Sequence, residues 1–347
     1  MITTTSLMRL ESLNGLRAFA VFLVFWHHAT NRFEDLHSSG MVGVSLFYLI
    51  SGFVMAWTDQ RPDSASIFYR KRFARIYPAY LVTCLLSFAW ILINGDFRIE
   101  DLAALTLLQS WVPIPEVYFA AQAIFWSLSV EVFFYLAFPL VRMLTRRLDQ
   151  RGLFILGGAA AAVSIGLGAV GTLVPAATAQ WAFVVFPPVR LPEFVIGVVL
   201  GTLVAKGWRP AISPWLSIPL AGASVVFALF MPYPFGHYPV TLIPFAILIV
   251  SLAVVDLTGK RVFMQWPWIV KLGVWSYCIY LTHGLVLGVC DAIAGRLDIP
   301  AIVVVTVAVP LTICAAWLLH TTVERPAEKW LRPTRKPRLD DDVLTRS

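Results

Sequence analysis

The chain has 347 residues, of which 59% are hydrophobic, and its mean hydropathy is +0.76. No soluble domain of this size has such a composition, so the chain is predicted to cross a membrane several times. Its net charge of +7 raises the question of a nucleic acid partner, but the distribution of the charges explains the excess without one. The four cysteines lie in apolar stretches without CxxC or Cys/His spacing, which argues against a disulfide framework or a metal centre.

Ten apolar stretches are long enough to cross a bilayer as helices. A further stretch, Leu102–Val112, is too short to span and predicts a re-entrant or interfacial helix on the outer side. We therefore expect an all-α polytopic membrane protein with about ten transmembrane helices. The predicted spans are 13–29, 41–58, 78–95, 122–141, 153–174, 189–205, 213–231, 239–257, 269–290 and 300–320.

The basic residues predict the orientation of these spans. If the N-terminus is inside, 22 lysines and arginines fall on the inner connections and termini. Only four fall on the outer connections: Arg32, Arg98, Arg190 and Arg296. The positive-inside rule then places both termini in the cytoplasm. With no linker or repeat in the chain, residues 1–331 are predicted to form one membrane domain, and residues 332–347 a short charged cytoplasmic tail.

The first span, LNGLRAFAVFLVFWHHA, is almost entirely apolar except for Arg17 and the histidines near its end. In a helix, Arg17 and His28 lie on one face, about 16 Å apart along the axis. Ionisable groups inside a membrane span usually face the protein interior and mark a functional site. His27 points about 100° away from His28 and is interpreted as a packing residue. His28 itself is a candidate general base, or alternatively a histidine hydrogen-bonded between helices.

Glu131 is the carboxylate of the fourth span, in the segment FWSLSVEVFFYLAFP. Such a group is costly in a membrane unless it is paired or neutral. It either orients an imidazole, pairs with a buried cation or belongs to a structural ion pair. Tyr135, four residues later, extends a polar stripe on this helix. His283 in the ninth span is a second candidate for the same polar cluster, or a hydrogen-bonded core histidine.

The connection between the second and third spans reads FYRKRFARIYP and contains Arg70, Arg72 and Arg75. A cluster of charges that stops translocation and touches lipid headgroups explains it simply. The more specific interpretation is a phosphate site, because the fork of an arginine matches phosphate oxygens.

Two further segments leave a structural and a functional interpretation open. The segment VGVSLFYLISGF, which includes Ser51, has small residues suited to helix packing or to a narrow tunnel for an extended chain. The segment VERP contains Glu324, which either forms a juxtamembrane salt bridge or contributes to a site. The motifs of P-loop, α/β-hydrolase and metalloprotease enzymes do not occur in the sequence.

Together these segments resemble the acyltransferase-3 family, the integral-membrane O-acyltransferases of bacterial surface glycans and some antibiotics. The likeness lies in an Arg followed after ten residues by a His, a second motif that ends in Ser-Gly-Phe, an Arg-rich segment, Trp-Ser-Leu-x-x-Glu, Ser-Tyr-x-x-Tyr-Leu-x-His and a final Glu-x-Pro. All six occur in family order between residues 13 and 326. Asn14 replaces a usual Asp, and Tyr48 a frequent Phe, but neither change touches the Arg17–His28 pair.

The resemblance implies the roles of the site residues. It places catalysis on His28 and Glu131, and donor binding on Arg17, Arg70, Arg72 and Arg75. Supporting positions are Ser51, Trp126, Tyr135, His283 and Glu324.

The resemblance also implies the substrates and the location. The donor is cytoplasmic acyl-CoA, most often acetyl-CoA, with no resident cofactor and no metal. The acceptor is a hydroxyl of a surface glycan or of a glycolipid precursor, at the bacterial inner membrane. The soluble esterase-like domain that some members append is missing from this sequence. If such a domain is needed, the expected partner is a separate periplasmic acyltransferase or polysaccharide-assembly protein.

Two alternatives come from other classes. A secondary transporter would also have about ten spans and interior polar residues, but no repeat with broken helices is visible. A purely structural membrane subunit would tolerate the loss of His28. Within the enzyme class, direct attack of the acceptor on the thioester is favoured over a transient acyl-enzyme.

Overall fold

The computed structural model of the protein describes residues 9–30, 33, 39–60 and 64–331. The predicted tail at 332–347 and Arg32 lie outside the described residues. Every regular element within the described ranges is helical, which confirms the all-α fold class.

Ten long helices follow the ten predicted spans in chain order. They are α1 (Glu11–Thr30), α2 (Val42–Thr58), α3 (Ala65–Asn94), α4 (Trp126–Arg147), α5 (Gln150–Gly171), α6 (Pro187–Ala205), α7 (Pro214–Ala228), α8 (Leu242–Leu257), α9 (Pro267–Leu297) and α10 (Ala301–Leu319). Seven helices among the described residues are long and apolar enough to cross a membrane, α8 together with the turn before it. The other three are α1, with 20 residues, and the shorter α2 and α7, with 17 and 15 residues. The structure thus shows a multi-pass membrane protein, while the count of ten and the orientation stay predictions.

Helix α3 begins earlier than its predicted span, so the arginine-rich segment is helical and not a connecting loop. Ser64 caps the helix by accepting a hydrogen bond from the Ile67 amide. Arg72 and Arg75 then lie within about 60° of each other on the helix surface, while Arg70 points at least about 140° away from both. The 30-residue helix ends at Gly95, which adopts the left-handed conformation (φ 77°) that glycine tolerates.

The connection from α3 to α4 is a string of short helical turns rather than one re-entrant helix. The turns span Ile99–Thr106, Gln109–Trp111, Pro115–Tyr118 and Ala123–Phe125. They pack onto the long helices through the Tyr80 hydroxyl, which donates to the Ala104 carbonyl at 2.6 Å. The first of these turns therefore packs along α3.

The structure corrects the predicted position of Arg190, which lies inside α6 and not on an outer connection. Its side chain is buried, and its guanidinium donates to Glu193 at 2.7 Å and to the Ser45 hydroxyl at 2.9 Å. The rings of Tyr48 and Tyr238 lie against it, 5.1 and 4.6 Å from the guanidinium carbon. An arginine so completely paired does not need an aqueous loop.

Small residues set the closest helix contacts. Gly52 of α2 lies against the Phe194 carbonyl of α6, where a Cβ atom would collide. Gly273 of α9 is pressed in the same way against the Asn14 carbonyl of α1. The Gly52 contact agrees with the packing interpretation of the second motif. The Gly273 contact fixes α9 against α1, and these two helices carry His283 and His28.

Candidate active site

Arg17 and His28 of α1 line two different cavities. Arg17 faces a cavity of about 110 Å³, here called the arginine cavity, between α1, α2, α3, α4 and α9. His28 faces a more open cavity of about 410 Å³, here called the histidine cavity, between α1, α3, α9 and the residues just before α4. The two cavities share no lining residue. The chemistry predicted for one cluster is therefore divided between two chambers at different heights along α1.

The arginine cavity gathers six of the residues singled out in the sequence. They are Arg17, Ser51, Arg72, Arg75, Glu131 and Tyr135. Three guanidinium groups and one carboxylate thus face a small space, which suits an anionic ligand. Arg70 is exposed at the surface of α3 and does not line this cavity.

Two of the arginines present donors toward the cavity. Arg17 donates from Nε to the Ser276 hydroxyl on α9 at 3.1 Å, which fixes the direction of its fork. The Arg72 guanidinium lies 5.6 Å from the ring centre of Tyr135, and its buried Nε has no hydrogen-bond partner among the described residues. Buried unsatisfied donors are costly, so a ligand that accepts from Arg72 would be stabilised here.

Glu131 lies in the arginine cavity rather than in the histidine cavity. One of its oxygens accepts a hydrogen bond of 2.5 Å from the Tyr135 hydroxyl, one helical turn away. The predicted polar stripe on α4 is therefore formed. Its position among three arginines suits the balancing of their charge.

Arg75 connects the cavity to a buried cluster around Glu324. Its guanidinium lies 2.5 Å from one Glu324 oxygen. The other oxygen lies 2.5 Å from His320 Nδ1 and 3.1 Å from Cys278 Sγ. A π-helical turn at His320–Glu324 turns these side chains inward. The salt bridge predicted for the VERP segment is thus an internal ion pair between Glu324 and Arg75 of α3. The spacing of Cys278 and His320 in the sequence did not indicate that they cluster around Glu324.

His28, at the histidine cavity, forms a pair with His283. His28 Nδ1 is 2.8 Å from the Val24 carbonyl, and His283 Nδ1 is 2.7 Å from the Tyr280 carbonyl. Because carbonyl oxygens only accept, each ring in its neutral form is assigned a proton on Nδ1. His283 Nε2, 3.3 Å from His28 Nδ1, is then an acceptor. His28 Nε2 is left as the nitrogen with the lone pair, which is what a general base requires.

A thin layer separates the two cavities. Tyr280 lines the arginine cavity, and its hydroxyl lies 2.5 Å from the Ser127 hydroxyl and donates to the Ile124 carbonyl at 3.0 Å. Ile124 in turn lines the histidine cavity. We call these three residues the Tyr280 layer. Trp126, next to Ser127, lines neither cavity, and its ring packs 6.0 Å from the guanidinium of Arg190.

Comparison with known proteins decides the family. A family model described as an acyltransferase domain matches residues 10–321. The chain belongs to this family. The resemblance predicted from the six motifs is confirmed, and the protein is an acyltransferase, which disfavours the transporter and structural alternatives.

Three relatives show how far the likeness extends. The acyltransferase MdmB of Streptomyces mycarofaciens is 34% identical over 93% of both chains. The O-acetyltransferase OatA of Staphylococcus aureus is 26% identical over 92% of this chain but only 57% of its own length. The nodulation protein 10 of Rhizobium leguminosarum bv. viciae is 28% identical over 42% of this chain. No solved structure matches the chain.

Sequence reasoning missed some residues of this acyltransferase. The pair Arg190 and Glu193 had a local signal, since opposite charges three residues apart in an apolar helix indicate an internal ion pair. Ser276 and Tyr280 had a weaker signal, because they are the polar members of the ninth-span motif. Gln122 had none, since it precedes α4 and meets its neighbours only through the fold.

Proposed function

We propose that this enzyme transfers an acyl group, most simply acetyl, from cytoplasmic acyl-CoA to a hydroxyl of a surface glycan or its lipid-linked precursor, at the bacterial inner membrane. One observation carries the proposal. Arg17 and His28 lie on one helix but in separate chambers, the first rich in arginine. This arrangement suits a donor with phosphate groups on one side and a hydroxylated acceptor on the other.

The donor side is assigned by charge. Arg17 and Arg72 would hold phosphate oxygens of CoA, and Arg75, anchored by Glu324, would add to the positive field. Glu131 would offset part of this charge and keep the arginines apart. Ser51 provides a small wall in α2 along which the pantetheine arm extends toward the Tyr280 layer.

The acyl transfer itself is assigned to His28. The acceptor hydroxyl gives its proton to His28 Nε2 while its oxygen bonds to the thioester carbon. The carbon–sulfur bond then breaks, and the CoA sulfur leaves with the proton that His28 carries. His283 holds the imidazole in the required tautomer through the 3.3 Å contact. Because about 16 Å separates Arg17 from His28 along α1, the thioester has to pass the Tyr280 layer in each cycle.

The first test is mass spectrometry of surface polysaccharide from a strain that lacks the gene. The strain is complemented with the wild type, with His28→Ala or with the neighbouring His27→Ala, and membrane levels of all three are compared. We expect an acetyl-sized increment with the wild type and with His27→Ala, and none with His28→Ala. Full activity of His28→Ala would refute the role of the base. An increment independent of the gene would refute the glycan as acceptor and favour a small-molecule acceptor.

A further inference from the structure

The histidine cavity has the composition of a site for a hydroxylated ring. Besides His28, it is lined by the polar or aromatic side chains of Ser87, Trp90, Gln122 and Asp291. Its volume of about 410 Å³ lies in the range of small-molecule sites, in which a few polar groups fix the orientation of the ligand. An indole offers an apolar face to ring carbons, and amide and carboxylate oxygens accept from hydroxyls.

Gln122 presents a buried hydrogen-bond acceptor without a partner among the described residues at this cavity. Its Nε2 donates to the Ser87 hydroxyl at 2.6 Å, but its buried Oε1 has no hydrogen-bond partner among the described residues. A Cβ atom at Gly284 would lie 2.8 Å from that oxygen, so the glycine keeps the space in front of it open. An unpaired buried acceptor is costly, and a donating hydroxyl of a ligand would satisfy it.

The backbone before Gln122 is held in an unusual conformation. Ala121 has a positive φ of 60° although it is not glycine. Its amide donates to a carboxylate oxygen of buried Asp101 at 2.9 Å, and the second oxygen of Asp101 accepts from the Arg98 amide at 2.9 Å. Strain of this kind persists only when the surroundings enforce it, and it concentrates at binding sites.

A third cavity, here called the loop cavity, lies next to the histidine cavity. It has a volume of about 380 Å³ and shares residues 121–123 with the histidine cavity. Its further lining includes Asp96 and Arg98, which are exposed just beyond the end of α3. Because they share these lining residues, the two cavities adjoin at Gln122, and we call them together one cleft. One part is lined by His28 and the other by the exposed side chains of Asp96 and Arg98.

We propose that this cleft binds the acceptor as a chain of at least two linked sugar units. The unit that receives the acyl group occupies the histidine cavity, and its neighbour occupies the loop cavity between Asp96 and Arg98. The proposal rests on the proposed function, because it takes His28 as the base. A compact acceptor consisting of a single ring would fill the histidine cavity and leave Asp96 and Arg98 without a role.

The test uses the full-length protein in proteoliposomes with labelled acetyl-CoA. The acceptors are alkali-deacetylated polysaccharide from the host strain and its purified mono- and disaccharide fragments. We expect the wild type to have a KM for the disaccharide at least tenfold lower than for the monosaccharide. Arg98→Ala and Asp96→Asn should raise the disaccharide KM toward the monosaccharide value and leave the KM for acetyl-CoA unchanged. Gln122→Leu should raise the KM for both acceptors.

The control is Arg296→Ala, since Arg296 is exposed near the end of α9 and lines neither cavity. Equal KM values for the two fragments, or unchanged kinetics of Arg98→Ala and Asp96→Asn, would overturn the two-unit cleft while the proposed function stands. If the wild type acetylates neither the fragments nor the polysaccharide, the glycan acceptor itself is wrong and the cleft proposal falls with it.

Discussion

His283 Nε2 lies 3.3 Å from His28 Nδ1, although the two residues are 255 positions apart in the chain. Each ring is also anchored to a backbone carbonyl of its own helix, at Val24 and Tyr280. The result is an imidazole whose tautomer and direction are set before any substrate binds. A residue such as His283 can orient a catalytic imidazole such as His28 without touching the reacting atoms.

His283→Ala is expected to lower kcat by roughly 10- to 100-fold, because His28 loses its orienting contact but keeps its own lone pair. His28→Ala should cost more, about 10²- to 10⁴-fold. The measurement is acetyl transfer by the purified enzyme in proteoliposomes, with kcat and the KM for acetyl-CoA determined separately. His283→Gln, which can still pair with the imidazole, should recover part of the rate. Equal losses in His283→Ala and His28→Ala would contradict a positioning role.

Arg72→Gln should weaken donor binding. The loss of a charge-assisted hydrogen bond corresponds to roughly a 10- to 100-fold increase in the KM for acetyl-CoA. Arg70→Gln should raise this KM less, because Arg70 is exposed outside the cavity. Steady-state kinetics at several salt concentrations compares both variants with Arg147→Gln, a change at an exposed arginine at the end of α4. The assignment of Arg72 fails if all three variants have the same KM.

Tyr280→Ala is expected to open the layer between the cavities. Water from the histidine cavity would then reach a thioester that still waits on the donor side of the layer, so hydrolysis of acetyl-CoA without acceptor should rise while transfer falls. Tyr280→Phe keeps the ring but loses the contacts to Ser127 and the Ile124 carbonyl, and its hydrolysis rate should be intermediate. Release of free CoA with and without acceptor measures both reactions. A Tyr280→Ala enzyme that hydrolyses no faster than the wild type would argue against the layer as a barrier.

Breaking the buried pair of Arg190 and Glu193 should destabilise the protein by about 3–5 kcal/mol, because one charge would be left uncompensated. Glu193→Gln and Arg190→Met are therefore each expected to lower the thermal midpoint in detergent. The double variant should be less destabilised than the sum of the two single variants. Additive losses would show that the two side chains do not act as a pair.

His237 gives an expected dependence of stability on pH. It lies in the turn Phe235–His237, outside the membrane-spanning segments, where its burial and then the nearby charge of His27 lower its pKa to about 4. The unfolded chain, with an ordinary histidine pKa, binds this proton first as the pH falls. Stability should therefore decrease between about pH 6.5 and pH 4, by at most about 3 kcal/mol, and level off below. His237→Asn should flatten this part of the profile when thermal midpoints are compared at pH 7 and pH 5. An unchanged slope would assign the effect elsewhere.

The sequence predicted relationships within helices better than those between them. The common face of Arg17 and His28 and the stripe from Glu131 to Tyr135 follow from helical spacing alone, which depends on local backbone geometry. The separation of Glu131 from His28 did not follow, because it depends on how α1, α4 and α9 pack. Arg190 was misplaced for a related reason. Its charge favoured a position on a water-exposed connection. The hydrogen bond to Ser45 of α2, which makes burial possible, depends on how the helices pack.

The Tyr280 layer has a consequence for the membrane in which the enzyme lies. An energised bilayer stores a proton gradient, and a continuous aqueous passage through a protein would discharge it. Tyr280, Ser127 and Ile124 are hydrogen-bonded to one another and lie between two chambers that share no lining residue. If the acyl group passes between the two chambers as proposed, the layer would keep the resting enzyme sealed to protons and ions. Under the proposed function, the layer would therefore protect the proton gradient of the cell as well as the thioester.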